Sequence, residues 1–343
     1  MVAITSANNK LGGPSMISRR TLIGTGLAAG PVVFAGSAPA PAQAQAYPRR
    51  SIQLIVPANA GGPTDIGARI LASIMEKDIG QPVVVVNKPG AGAQLGTTEL
   101  ARARPDGYTI GYITMPGLNT MVLDTERKAA FTLDSFALVI NQVLDPGAIW
   151  VRADSPFKTL ADLVAAAKKE PNKLSACTTG ILSDDHLAIM MLEEAANVKF
   201  RVVHFDGAAQ QFTAILGGHV DVAFDNVGSV RKRAMSGEVR VLAVMDPQRS
   251  KLMPNSPTTT ELGFPTVNSN STRGIAAPKG VPPEILSYLE AALKKAMENS
   301  EHMRKMEEVG LEVRIMTGKA FADYFAVQHT KAIKYVEWAK KYQ

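Results

Sequence analysis

The sequence predicts an α/β fold of two doubly wound lobes joined by two crossover strands. Short β-type runs recur, each followed by a glycine-rich or polar turn and an amphipathic helix, which is typical of parallel strands layered with helices. This pattern starts again near residue 148, and a polar stretch at 268–278 returns the chain to the first unit. With 343 residues, 46% of them hydrophobic, the chain is long enough for two compact domains.

The first lobe begins with a strand and an amphipathic helix. Ile66, Ile70 and Ile74 recur at the spacing of one helix face, which predicts the helix. The next strand is almost wholly apolar, as expected when both of its faces are covered. The predicted elements are strands at 51–57, 81–87 and 109–114, and helices at 64–78 and 95–103.

The second lobe repeats the alternation, and the chain then returns to the first lobe. We assign residues 47–149 and 276–343 to lobe 1 and residues 150–275 to lobe 2, with crossovers near 148–152 and 274–278 and a ligand cleft between the lobes. The predicted strands are at 149–151, 174–178, 200–205, 220–224, 240–245 and 312–316, and the helices at 159–169, 184–196, 208–216, 281–300, 301–309 and 318–341.

Residues 1–46 have the features of a cleaved export signal. Arg19-Arg20 precedes a mild apolar run at 22–35, and Ala44-Gln45-Ala46 fits a cleavage site. The apolar run is too short to span a bilayer and is broken by glycines and Pro31. We therefore predict a twin-arginine signal and a periplasmic protein that starts at Tyr47. The general export route, and a disordered tail with a chance arginine pair, are the alternatives.

Charge and cysteine content argue against nucleic-acid binding, membrane-surface binding and an internal disulfide. The formal net charge is +6, but residues 1–46 contribute Lys10, Arg19, Arg20 and no acid, so the remainder is only mildly basic. Its basic residues are scattered, which argues against nucleic-acid or membrane-surface binding. The single cysteine, Cys177, has no partner for a disulfide within the chain, and we expect it to be a small buried residue.

Two glycine-rich loops are candidate ligand sites, because ligands of open α/β sheets bind beyond the carboxyl ends of strands. Gly61 and Gly62 allow close backbone approach to a ligand, although an ordinary capped glycine turn also fits. The second loop, at 89–96, has its glycines spaced G-x-G-x-x-x-G, one residue longer than a dinucleotide fingerprint. Residues 111–121 carry no acid that would bind a ribose. A backbone cradle for a carboxylate is therefore favoured over a nicotinamide site.

The second lobe offers three further strand ends. They are Thr178-Thr179-Gly180 with Ser183 and His186, Phe205-Asp206-Gly207, and Asp225-Asn226. Hydroxyls and backbone amides at helix starts suit neutral or anionic ligands, but a simple capped helix start explains the segment 183–186 equally well.

Motifs for catalysis are missing from the sequence. The five histidines show no metal-ligand pairing, and no G-x-S-x-G elbow or P-loop is present. We therefore expect no catalytic residues, no metal and no cofactor.

In their order and spacing, several motifs resemble the receptors of tripartite tricarboxylate transporters, the Bug-type extracytoplasmic solute receptors. The similarity covers residues 47–343. The motifs are VP followed by GGxxDxxAR from Gly61, NKPGAG from Asn87, PDGYT from Pro105, HL at His186, GGHVD from Gly217, and Arg249 followed by Pro254, Pro257-Thr258 and Glu261-x-Gly263.

The resemblance implies a type II periplasmic-binding-protein fold that closes on a small organic carboxylate and presents it to membrane permease subunits. It also implies that the first two loops hold one carboxylate and that the opposite lobe contacts the rest of the ligand. We expect a monomer that is not an enzyme. The implied ligand-binding residues are Ala58, Gly61, Gly62, Thr64, Asp65, Ala93 and Gln94 in lobe 1, and Thr179, Ser183, His186, Asp206 and Asp225 in lobe 2.

Two departures from the family pattern leave the ligand open. Asp206 stands where the family often has a lysine, and Ser271 to Gly274 stand where it often has a tryptophan. Arg273 is added to the candidate ligand contacts as a charge-assisted partner, with an exposed surface arginine as the alternative. A sensor subunit that presents its ligand to a signalling partner, and an exported enzyme, are the other functions considered.

Overall fold

A computed structural model describes residues 47–205 and 207–342. The predicted export signal at 1–46 and the predicted ligand contact Asp206 lie outside the described residues. Among the helices of the described part, none has the length and apolar character needed to cross a membrane.

The first sheet, which we call sheet A, starts with three parallel strands whose carboxyl ends share one edge. Strand β1 pairs with β2 on one side and with β3 on the other. Strand β9 then pairs antiparallel with β3 and with β4, and β10 pairs antiparallel with β4. The strands are β1 (Ile52–Val56), β2 (Val83–Asn87), β3 (Thr109–Met115), β4 (Phe136–Arg152), β9 (Asn270–Pro278) and β10 (Val313–Thr317).

The helices around sheet A follow from local signals. Helix α1 has a proline in its first turn, and Gly80 ends it in the left-handed conformation with its N–H bonded to the Glu76 carbonyl. The helices here are α1 (Pro63–Ile79), α2 (Gln94–Ala101), α3 (Gly117–Leu123), α8 (Pro283–Glu298) and α9 (Ser300–Glu308).

The second sheet, sheet B, uses the far end of β4. From Gly147 to Arg152 this strand pairs antiparallel with β7 and β8, and β5 pairs parallel with β6 and β7. Its strands are β5 (Ser175–Thr178), β6 (Arg201–His204), β7 (Val222–Asn226) and β8 (Val239–Met245), and its helices α4 (Leu160–Lys169), α5 (Asp184–Ala196), α6 (Ala208–Leu216) and α7 (Val227–Met235).

Strand β4 carries the chain from one sheet to the other without a break. It pairs with β9 as far as Pro146 and enters sheet B at Gly147. A Cβ at Gly147 would stand 2.4 Å from Met245 Cε and 3.2 Å from the Ser269 carbonyl oxygen, so a side chain at this crossing would displace the methionine and press on the backbone. The predicted class, α/β with two sheets joined by crossover strands, is confirmed.

Separate clusters of apolar side chains pack against the two sheets. Leu54 and Leu71 belong to the core of sheet A, and Leu163 and Phe224 to the core of sheet B. The last helix, α10 (Gly318–Tyr342), serves both, because Phe321 packs beside Ile113 at sheet A while Val336 packs in the core of sheet B. The division of the chain into lobes stays a prediction.

Candidate ligand-binding cleft

The loop after β1 is shaped by a buried carboxylate. Asp65 is 3% exposed and accepts hydrogen bonds from the Gly61 N–H at 2.8 Å, Arg69 Nε at 3.1 Å and Asn87 Nδ2 at 3.0 Å. Burial disfavours the charged form, but the three donors outweigh it and hold the pKa of Asp65 below its ordinary value. Asn87 also donates to the Ala58 carbonyl. Asp65 therefore fixes the conformation of this loop through its hydrogen bonds with Gly61 and Asn87.

The loop after β2 lies against the first loop because of one glycine. A Cβ at Gly96 would stand 2.7 Å from the Lys88 carbonyl and 2.9 Å from Pro57 Cα, so a side chain here would force the loops apart. Gly92 and Ala93 both have positive φ, at 59° and 77°, which turns the loop sharply into α2.

An arginine that the sequence did not single out connects these loops to sheet B. Arg127 follows α3, and its Nε pairs with Asp124 at 3.3 Å while its Nη2 donates to the Ile181 carbonyl at 3.1 Å. Gln94 donates to the Arg127 carbonyl. The Arg127 side chain is only 21% exposed. It therefore spans the space between the carboxyl edges of β2 and β5.

A cavity of about 460 Å³ lies at this position, a volume within the range of small-molecule sites. The lining includes three residues with hydroxyl groups, Thr114, Thr120 and Ser271, and the apolar residues Met115 and Phe205. The full lining is Gly92, Thr114, Met115, Gly117, Thr120, Arg127, Thr179, Gly180, Ile181, Leu182, Ser183, Asp184, His204, Phe205 and Ser271.

Two of the sequence-predicted residues, Thr179 and Ser183, line this cavity. The Thr179 N–H and hydroxyl both donate to Asp185, and the Ser183 hydroxyl accepts from the His186 N–H as the cap of α5. The capped helix start is therefore present at the cavity wall. The described lining does not include the predicted contacts of the first loop, Ala58, Gly61, Gly62, Thr64 and Asp65, or those of the second loop, Ala93 and Gln94.

His186 faces a different space. Its Nδ1 accepts from the Leu182 N–H at 3.0 Å, and its ring meets the His204 ring edge-on with centroids 4.5 Å apart. It lines a second cavity of about 380 Å³ that also contacts Trp338. Burial, followed by the charge of His204, lowers the pKa of His186 to about 4, so its ring is neutral at neutral pH.

Arg273 and Asp225 belong to a buried cluster behind the cavity. Arg273 is 5% exposed, and its Nη1 pairs at 3.2 Å with Asp145, which is completely buried. The alternative of an exposed surface arginine is therefore wrong, because Arg273 lies on β9, where strand register places it beside β4. Asp225 is 2% exposed, and burial raises its pKa to about 7. Their roles as ligand contacts stay predictions, and the described cavity lining includes neither residue.

Neither a metal site nor a reactive cysteine is supported by the described part of the chain. No group of histidine, cysteine, aspartate and glutamate side chains there is arranged to hold a metal ion. Cys177 is fully buried, as predicted, and burial raises the pKa of its thiol to about 12.

A cavity at the carboxyl edges of two α/β sheets that share strand β4 is typical of one class of protein, the solute-binding receptors. The model of the tripartite tricarboxylate transporter family receptors, TctC, matches residues 67–337, and the chain belongs to this family. This confirms the resemblance seen in the sequence. The proteins of this family are periplasmic binding receptors and not enzymes.

Individual relatives extend the comparison. A Cupriavidus necator protein, described as the UPF0065 protein in the gbd 5' region, is 34% identical over 322 residues, which are 93% of this chain and 97% of that protein. The structure of the periplasmic binding protein BugD is 31% identical with a TM-score of 0.73, over 86% of this chain and 98% of that one.

Two further solved structures contain ligands. MatC from Rhodopseudomonas palustris with bound malate is 25% identical, with a TM-score of 0.74 over 84% of this chain and 100% of that one. A second R. palustris protein, with adipate, is 26% identical, with a TM-score of 0.76 over 86% of this chain and 98% of that one. Malate and adipate are both small organic carboxylates.

Proposed function

We propose that this protein is a periplasmic receptor that captures a small organic carboxylate between two lobes and delivers it to the permease subunits of a tripartite tricarboxylate-type transporter. The lobes would be residues 47–149 with 276–343, and residues 150–275. Export would depend on a twin-arginine signal at 1–46, and the mature protein would act as a monomer.

The observation that carries this proposal is the position of Arg127. Its guanidinium lines the cavity, and Nη2 donates to the Ile181 carbonyl across the space between the sheets. A guanidinium binds carboxylates through paired, charge-assisted hydrogen bonds. A bound carboxylate in contact with Arg127 and with the loop of Ile181 would favour the closed arrangement of the two sheets.

Calorimetric titration of the protein from Tyr47 onward tests the proposal. The ligands would be malate, adipate, citrate and benzoate, and at least one carboxylate is expected to bind. The R127Q variant should weaken this binding by roughly tenfold to a hundredfold, as for the loss of a charged hydrogen bond. R304Q is the matched control, since Arg304 is 61% exposed on α9.

Delivery to a permease is tested in cells. Deletion of the gene should abolish uptake of the radiolabelled carboxylate that binds in calorimetry, and the intact gene should restore it. Unchanged uptake in the deletion strain would refute the transport role, and equal binding by R127Q would refute the role of Arg127.

A further inference from the structure

The described residues that line the cavity carry two formal charges of opposite sign. Arg127 approaches from the side of sheet A, and Asp184 comes from the first turn of α5, beside sheet B. The other titratable lining residue is His204, and burial lowers its pKa, so its ring is neutral at neutral pH. A ligand in this cavity therefore meets a cation and an anion.

The α5 end of the cavity is unsuited to a ligand carboxylate. A helix N-terminus normally attracts anions, but the first turn of α5 already holds Asp184 and Asp185. Thr179, which would otherwise offer an N–H and a hydroxyl, donates both to Asp185. A second carboxylate brought to this end would find two carboxyl groups and no free donor from Thr179.

Asp184 also lacks a salt bridge within the described residues, although one cation lies in the cluster behind it. Its Oδ2 accepts from Asn226 Nδ2 at 2.8 Å, while Arg273 is paired with Asp145 at 3.2 Å. Burial raises the pKa of Asp184. The charge of Arg273 and nearby backbone N–H groups offset this rise only in part. A cationic group on the ligand would further stabilise the ionised carboxylate.

We propose that the ligand carries a protonated amine as well as a carboxylate, with Arg127 binding the carboxylate and Asp184 binding the amine. This inference rests on the proposed receptor function and narrows its ligand class. It assigns Asp184 as the residue that selects an amino carboxylate over a dicarboxylate of the same length.

Matched ligands test the selection directly in the unmodified protein. Butyrate, succinate, α-aminobutyrate and γ-aminobutyrate have the same number of carbon atoms and differ in the group beyond the carboxylate. In calorimetric titrations, at least one of the two amino acids should bind roughly tenfold or more tightly than succinate, since a hydrogen bond to a charged partner is worth about that factor.

The D184N variant tests whether Asp184 is responsible for this preference. It should remove the preference by weakening amino-acid binding roughly tenfold relative to butyrate binding. The matched control is D323N, because Asp323 is 61% exposed on α10.

The outcomes separate the two proposals. Succinate binding as tightly as both amino acids in the unmodified protein would overturn the ligand class, and an unchanged preference in D184N would overturn the role of Asp184. Binding of none of these ligands, together with no binding of malate, adipate, citrate or benzoate, would instead refute the receptor function.

Discussion

The ionisation of Asp225 gives a prediction whose size follows from the structure. Asp225 is 2% exposed, and burial raises its pKa from 3.8 to about 7, with the charges of Asp145 and Asp184 adding to the effect. Each pKa unit corresponds to about 1.4 kcal/mol, so a shift of about three units corresponds to about 4 kcal/mol. Ionised Asp225 therefore destabilises the fold by up to that amount.

Proton linkage gives the direction in which stability changes with pH. The folded state holds the Asp225 proton up to about pH 7, whereas the unfolded chain releases it above about pH 4. The contribution of Asp225 to stability is thus greatest at low pH and is lost as pH rises between these values. Asparagine has the same shape, can accept the Asn226 N–H that Asp225 Oδ1 accepts at 2.7 Å, and does not ionise.

The assay is urea denaturation of D225N and the unmodified protein at about pH 5 and about pH 8. The stability difference between them should shift in favour of D225N by about 2 to 4 kcal/mol from the lower to the higher pH. D154N, at a side chain that is 68% exposed, is the control and should show almost no shift. A difference between D225N and the unmodified protein that is the same at both pH values would refute the reasoning.

Three further substitutions have expected outcomes. D145A leaves buried Arg273 without its partner and should lower the free energy of unfolding by about 3 to 5 kcal/mol in urea denaturation; a loss under about 1 kcal/mol would contradict this. G274A places a Cβ 2.4 Å from Phe321 Cζ and should lower the free energy of unfolding by about 1 to 3 kcal/mol. In a double-mutant cycle, F321L should restore part of the stability that G274A removes. D65A removes three hydrogen bonds and should lower stability by about 2 kcal/mol and also weaken carboxylate binding in calorimetry; unchanged values for both would show that the loop holds without it.

Local sequence signals were sufficient to predict most of the helices and strands. The predicted helices at 184–196 and 208–216 coincide with α5 and α6, since a serine cap begins one and glycines follow the other. Helix α7 was missed because it follows β7 with no intervening loop, which hides its periodicity. Asp145-Pro146-Gly147 is typical of a turn, yet it lies inside the continuous strand β4, where two sheets meet and tertiary pairing overrides the turn preference.

The side chains of the cavity were harder to predict than its loops. The glycine-rich loops could be located because each follows a strand and precedes a helix. Arg127 lies in the polar segment Thr125–Arg127, which looks like ordinary surface, although its position shortly after the third strand placed it near the same sheet edge. The pairing of Arg273 with Asp145 joins residues 128 positions apart, so only the register of β9 against β4 brings them together.

Helix α10 sets a limit on how the protein can be divided. Phe321 packs at sheet A, whereas Tyr335 and Val336 pack in the core of sheet B. A shortened chain that ends before Gly318 would leave an apolar opening in each half at once. The last helix therefore contributes side chains to both cores, and a fragment with one sheet alone would either lack α10 or expose the apolar side chains that α10 packs against the other sheet.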